Sequence, residues 1–154
     1  AEQVNDASMA VERSIDGEAQ GVAFRNLAKL MHWAGRFDEA QRHALDALKL
    51  LPRDLESRFV LADCLEKAGN DEAALEQFTQ LFQIGDFPRA CHPFAELLAD
   101  RGHHEAAKAY LMQAILTTEG GRQASAYEAL GRLHQLLGES DLAEECFEQA
   151  KTVH

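Results

Sequence analysis

The chain has 154 residues, a length that suits one ordinary domain with its own core and is too short for two large ones. Apolar residues make up 46% and charged residues 27%, with three prolines and a predominance of Ala, Leu, Glu and Gln, which argues against disorder and fibrous classes and for an all-α fold. A formal net charge of −11 argues against attraction to nucleic-acid phosphates or to an anionic membrane surface.

Residues 1–20 place Val4, Ala7 or Ser8, Val11 and Ile15 at helical spacing, with Gly17 near the end. This predicts one helix shielding the apolar flank of the next segment, because the ends of stacked helical arrays need caps. From Gly21 on, a two-helix pattern recurs. Gly35, Gly69, Gly102 and Gly138 are 34, 33 and 36 residues apart, and five residues after each stands a small residue: Ala40, Ala74, Ala107 and Ala143. A glycine can take the positive φ that ends one helix, and Asp38 and Glu39 suit the electropositive start of the next. The pattern divides the chain into four units, over residues 21–54, 55–87, 88–121 and 124–154. Two irregularities stand out. Pro88 and Pro93 bracket the start of the third unit, so its first helix is expected to begin late or bend. The stretch Thr117–Arg122, with Gly120 and Gly121, is expected to be a long, flexible surface loop.

The register of these units resembles the tetratricopeptide repeat. Phe24, Leu27-Ala28, Met31, Gly35, Ala40, Ala47 and Pro52 match that family's pattern in the first unit, with Ala44 in place of the usual aromatic. Leu61-Ala62, Leu65, Gly69, Ala74 and Phe78 match in the second, and Ala95, Leu98, Gly102, Ala107, Leu111 and Ala114 in the third. Tyr127, Leu130-Gly131, Gly138, Ala143, Phe147 and Ala150 match in the fourth. The resemblance implies a right-handed α-solenoid of about four repeats behind an amino-terminal capping helix. It also implies a protein or peptide partner held in the concave groove lined by the first helices. Carried over by register, the partner-binding residues are Arg25, Asn26, Lys29, His32 and Trp33 in the first unit, Phe59, Val60 and Asp63 in the second, and Arg89, His92 and Glu96 in the third. Trp33, the one tryptophan, is the leading contact, its alternative being burial under the amino-terminal helix. Arg25, Lys29 and His32 form a basic strip that suits an acidic peptide, unless acidic neighbours neutralise it.

A narrower function is tested by the same residues. The clamp with which some tetratricopeptide co-chaperones grip chaperone tails is not reproduced, since Val60 and Pro93 stand where it needs Asn and Arg. Pro88-Arg89, Ala95-Glu96 and Gly102 are similar to a segment of the chaperones of type III secretion translocators, although those carry three repeats. That role, or self-assembly of the chain into a homo-oligomer, is the alternative to a general interaction scaffold. Seven histidines show no metal-ligand spacing, and no phosphate loop or nucleophile–base pair occurs, so no metal, cofactor or catalytic residue is expected. Cys64, Cys91 and Cys146 form no paired pattern, which fits a reducing, cytoplasmic setting; the first residue is not Met, which leaves export or a longer parent chain open.

Overall fold

The computed structural model describes residues 2–153, with side chains placed for residue 13 and for residues 15–153. Among the described residues there are eight α-helices and no strand. They fall into two compact units that meet in sequence at Gly85 and Asp86.

The first unit contains α1 (Glu2–Trp33), α2 (Phe37–Leu50), α3 (Leu55–Lys67) and α4 (Asp71–Ile84). The helix expected over residues 1–20 is present, but it is continuous with the first helix of the first repeat. α1 runs through Gly17 and Gly21 for 32 residues, about 48 Å at 1.5 Å per residue. Of the stripe expected in that leading segment, Ile15 is 59% exposed, and the side chains of Val4, Ala7, Ser8 and Val11 lie outside the described residues. Gly21 has a packing role: a Cβ there would stand 2.6 Å from Leu51 Cγ, so its missing side chain lets the α2–α3 connection close onto α1. The core gathers Ala28, Ala40, Ala44, Val60, Leu61 and Cys64, with Met31, Phe37, Leu48 and Leu65 packed against it.

The second unit opens with a 3-10 turn (Pro88–Ala90), followed by α5 (Cys91–Asp100), α6 (His104–Thr117), α7 (Gly120–Leu136) and α8 (Ser140–Thr152). Pro93 falls in the first turn of α5, where its missing N–H costs nothing, and the helix is correspondingly short at 10 residues. The long loop expected over Thr117–Arg122 is not there. Only Thr118 and Glu119 separate α6 from α7, because Gly120, at φ +59, begins α7 and the extra residues lengthen that helix to 17. The junction is tied down by Thr118 Oγ1, which donates to the Ala114 carbonyl (2.6 Å), and by Gln123 Nε2, which donates to the Ile115 carbonyl (2.8 Å). In the core of this unit the Phe94 and Tyr110 rings meet edge to face at 4.8 Å.

One turn is used four times. Gly35, Gly69, Gly102 and Gly138 have φ of 79, 81, 83 and 77 degrees. The amide after each glycine donates to a carbonyl five residues back, as in Arg36 to Met31 (2.8 Å) and Glu139 to His134 (2.8 Å). This closure satisfies carbonyls that the helix end would leave bare, and it requires the left-handed conformation that glycine adopts without strain. Ala40, Ala74, Ala107 and Ala143 then each donate at 3.0 Å to the carbonyl of the residue that caps their own helix, and all four are buried.

Candidate interaction faces

In the first unit the side of α1 that meets α3 carries three cross-helix ion pairs. Arg25 Nη1 donates to Asp54 Oδ1 at 3.1 Å, Lys29 Nζ lies 3.7 Å from Glu56 Oε1, and His32 Nε2 meets Asp63 Oδ2. The basic strip therefore faces an acidic counterpart on α3 and its cap, and each of its members is paired there. Asp54 is also the N-cap of α3: its Oδ2 accepts from the Ser57 amide at 2.9 Å and from Ser57 Oγ at 2.6 Å. Burial works against the Asp54 charge, but the two Ser57 hydrogen bonds and then Arg25 outweigh it, and the pKa falls below the ordinary carboxylate value. Asp63 behaves alike. Its burial is outweighed by the His32 hydrogen bond, then by Lys67, whose Nζ is 3.8 Å away.

The residues expected to touch a partner here separate into two groups. Val60 is 1% exposed and belongs to the core, which corrects its assignment to the open face: the α3 backbone turns it toward α1 and α2. Asp63 is likewise buried and occupied by His32 and Lys67, so it holds helices together instead of facing solvent. Phe59 is half-buried, with the His32 ring at 6.3 Å and the Phe78 ring at 6.4 Å. Arg25 and His32 are half-buried within their pairs, whereas Asn26 and Lys29 are exposed. Trp33 is 86% exposed; it stands on the same helix as the leading segment and does not pack beneath it.

In the second unit, Arg89 lies over the Phe87 ring at 5.0 Å and His92 Nε2 is 2.9 Å from Glu96 Oε1. The same Glu96 oxygen is 3.9 Å from Arg132 Nη2 on α7. A cleft lined by α5, α6 and α7 residues opens beside this pair, and its alanines gave no signal of a hollow in the sequence. Burial pushes the Cys64 and Cys91 thiols up to about 11, so neither is a nucleophile at neutral pH. Among the described residues no group of His, Cys, Asp and Glu is placed to hold a metal ion, and no helix is long and apolar enough to cross a membrane.

The sequence matches family models described as the tetratricopeptide repeat over residues 21–45, 34–88, 88–118 and 124–153. The fold is similar to that of MamA in two crystal structures. One has a TM-score of 0.72 and 23% identity, covering 85% of this chain and 71% of that one. The other has a TM-score of 0.69 and 24% identity, covering 80% and 72%. It is also similar to PilF of Pseudomonas aeruginosa, with a TM-score of 0.74 and 18% identity, covering 88% of this chain and 61% of that protein. No curated protein sequence matches the chain. The repeated glycine turns, the buried alanine five residues after each, and the family models over all four units lead to one statement: the chain belongs to the tetratricopeptide-repeat family.

Proposed function

We propose that the chain is a non-catalytic scaffold that holds a segment of another protein, and that Trp33 anchors that segment in the first unit. The observation that carries this reading is the exposure of Trp33 beside Asn26 and Lys29, on a side where the other charged groups are satisfied by one another. A large indole left in water gains nothing for the fold, and tryptophan is the residue most enriched where partners bind tightly. The partner's character follows from the pairing. An acidic segment has to take Lys29 from Glu56, a loosely closed pair at 3.7 Å whose lysine is exposed and whose carboxylate is half-buried, and pairs open to water on one side are worth on the order of 0.2–1 kcal/mol. Arg25 and His32 are held more closely, so an acidic group is recognised at Lys29 and the rest of the contact is apolar.

Because Trp33 is the only tryptophan, its fluorescence reports the site directly. Wild type and Trp33→Ala are used to capture partners from the source cells, with circular dichroism as the check on fold. A partner retained by the wild type, lost from the variant and able to shift the indole emission to the blue supports the reading; equal capture by both proteins removes Trp33 from it. The narrower translocator-chaperone role makes the captured protein a secreted, translocator-type one. A second reading, self-assembly, is favoured by Leu27 and Leu30, both exposed on α1. Sedimentation over a concentration series distinguishes it, since a chain that stays monomeric at high concentration does not self-assemble.

A further inference from the structure

Gly21 and Ala28, both buried, mark the side of α1 that faces its own unit. At 3.6 residues per turn, the opposite side carries Ile15, Ala19, Ala23, Asn26 and Leu30 in one stripe, spaced by four, four, three and four. All five are exposed, and Leu27 borders them at 40% exposure. The outward stripe of a surface helix ordinarily carries charge, and these positions carry none.

The charges stand beside the stripe, and their order along the helix decides what can cover it. Glu18 precedes Arg25 and Lys29 by seven and eleven residues, which places all three on the flank that turns toward α3. Arg13 and Asp16 stand on the other flank, one turn apart. Two copies of this helix laid side by side and parallel would set Glu18 against Glu18 and Lys29 against Lys29. Laid antiparallel and centred near Ala23, they set Glu18 of each against Lys29 of the other, a match made twice by one two-fold axis. Lys29 is held only loosely by Glu56, at 3.7 Å, and can lean to either carboxylate. Volumes agree as well. Ala19 of one helix comes within a turn of Leu27 and Leu30 of the other, small against large, and Ala23 at the axis lets the backbones approach closely. Arg13 reaches the carboxyl end of the other α1, the negative end of its dipole; Asp16 approaches that end too, with Arg13 beside it on the same helix.

Resting on the self-assembly reading above, we propose that this stripe is a dimer seam, in which α1 pairs antiparallel with α1 of a second copy. A seam of this kind needs a surface complementary to itself, and the reciprocity of Glu18 and Lys29 supplies it. A uniformly acidic or uniformly basic partner would be repelled by one of the two.

The test combines sedimentation equilibrium over a concentration series with cross-linking through introduced cysteines. The expected result is dimerisation of the wild type, weakened at least tenfold in Ala19→Glu and in Leu30→Glu, both at exposed positions, with circular dichroism as the check on fold. The native cysteines are buried, so an added surface cysteine is the one that reacts under mild oxidation. Ala23→Cys, near the axis, should cross-link to itself. Glu18→Cys should not, because its two copies stand about 16 Å apart along the seam, eleven residues at 1.5 Å each, and a disulfide needs Cα atoms within about 7 Å. A mixture of Glu18→Cys and Lys29→Cys should join the two variants to each other. A chain that stays monomeric overturns this inference and the self-assembly reading together. Association left unchanged by Ala19→Glu and Leu30→Glu overturns the seam and leaves self-assembly standing. Self-cross-linking of Glu18→Cys as readily as of Ala23→Cys makes the pair parallel and also overturns it.

Discussion

Gly131 sets two opposing effects against each other at one position in α7, and the balance can be worked out. Glycine inside a helix is less favourable than alanine by about 0.8–1.0 kcal/mol, so Gly131→Ala gains that much from the backbone. Against this, the new Cβ stands 2.7 Å from Phe147 Cε1, 2.9 Å from Cζ and 3.0 Å from Cδ1, closer than carbon atoms tolerate. Overpacking of this kind costs typically about 1–3 kcal/mol. Phe147 is half-buried, so its ring has some freedom to swing outward and the cost belongs in the lower half of that range. The net effect lies between neutral and a destabilisation of about 1 kcal/mol. Replacing Phe147 with leucine removes the offending ring atoms, and in that background Gly131→Ala should instead stabilise by about 1 kcal/mol. Urea unfolding of the four proteins, followed by circular dichroism, closes a double-mutant cycle with an expected coupling of about 1–2 kcal/mol. A coupling near zero, or a wild-type background stabilised by the full helix-propensity gain, refutes the claim that the glycine is there to admit the ring.

The remaining expectations concern the first unit and the buried thiols. Asp54 and Asp63 have pKa values lowered by folding, so below about pH 4 the unfolded chain binds more protons than the folded one. Their contribution is therefore complete at neutral pH and declines as acid is added; urea midpoints that rise as the pH is taken from about 6 down to about 3 contradict it. Asp54→Ala removes the cap of α3 and the partner of Arg25 together and should cost about 1–2 kcal/mol by thermal unfolding, with Asp54→Asn milder because the amide oxygen still caps. An alanine variant as stable as the asparagine one shows the cap to be dispensable. Cys64 and Cys91, both buried with raised pKa, should react with a thiol reagent only after urea unfolding, as read by mass spectrometry of the native and unfolded chain. Rapid native labelling of either places it at the surface.

What could be read in advance depended on range. The four glycine turns and the alanines behind them are local features, each decided by a conformation or a volume within a few residues, and all four recur in the structure. The Thr117–Arg122 stretch misled because two glycines look like a breaker, although a positive φ at Gly120 can also begin a helix. Val60 and Phe59 are neighbours in sequence, and a small rotation of α3 decides which of them is buried; register alone assigned both to the open side. The acidic partners of Arg25, Lys29 and His32 lie 29, 27 and 31 residues away, so their pairing depends on how α1 and α3 are turned toward each other. The cleft of the second unit was invisible for a related reason. Alanines at helix contacts announce close approach, and only the assembled backbones reveal where three of them leave space.

The Asp54 carboxylate joins parts of the first unit that are remote in sequence. One of its oxygens accepts from Arg25 of α1, and the other from the amide and hydroxyl of Ser57 at the head of α3. A single proton arriving there loosens both attachments at once, so fraying is not free to begin at one helix and spare the other. Amide exchange at the first turn of α3 and around Arg25 of α1 should accordingly speed up in step as acid is added, giving the unit one shared latch in place of two independent ones.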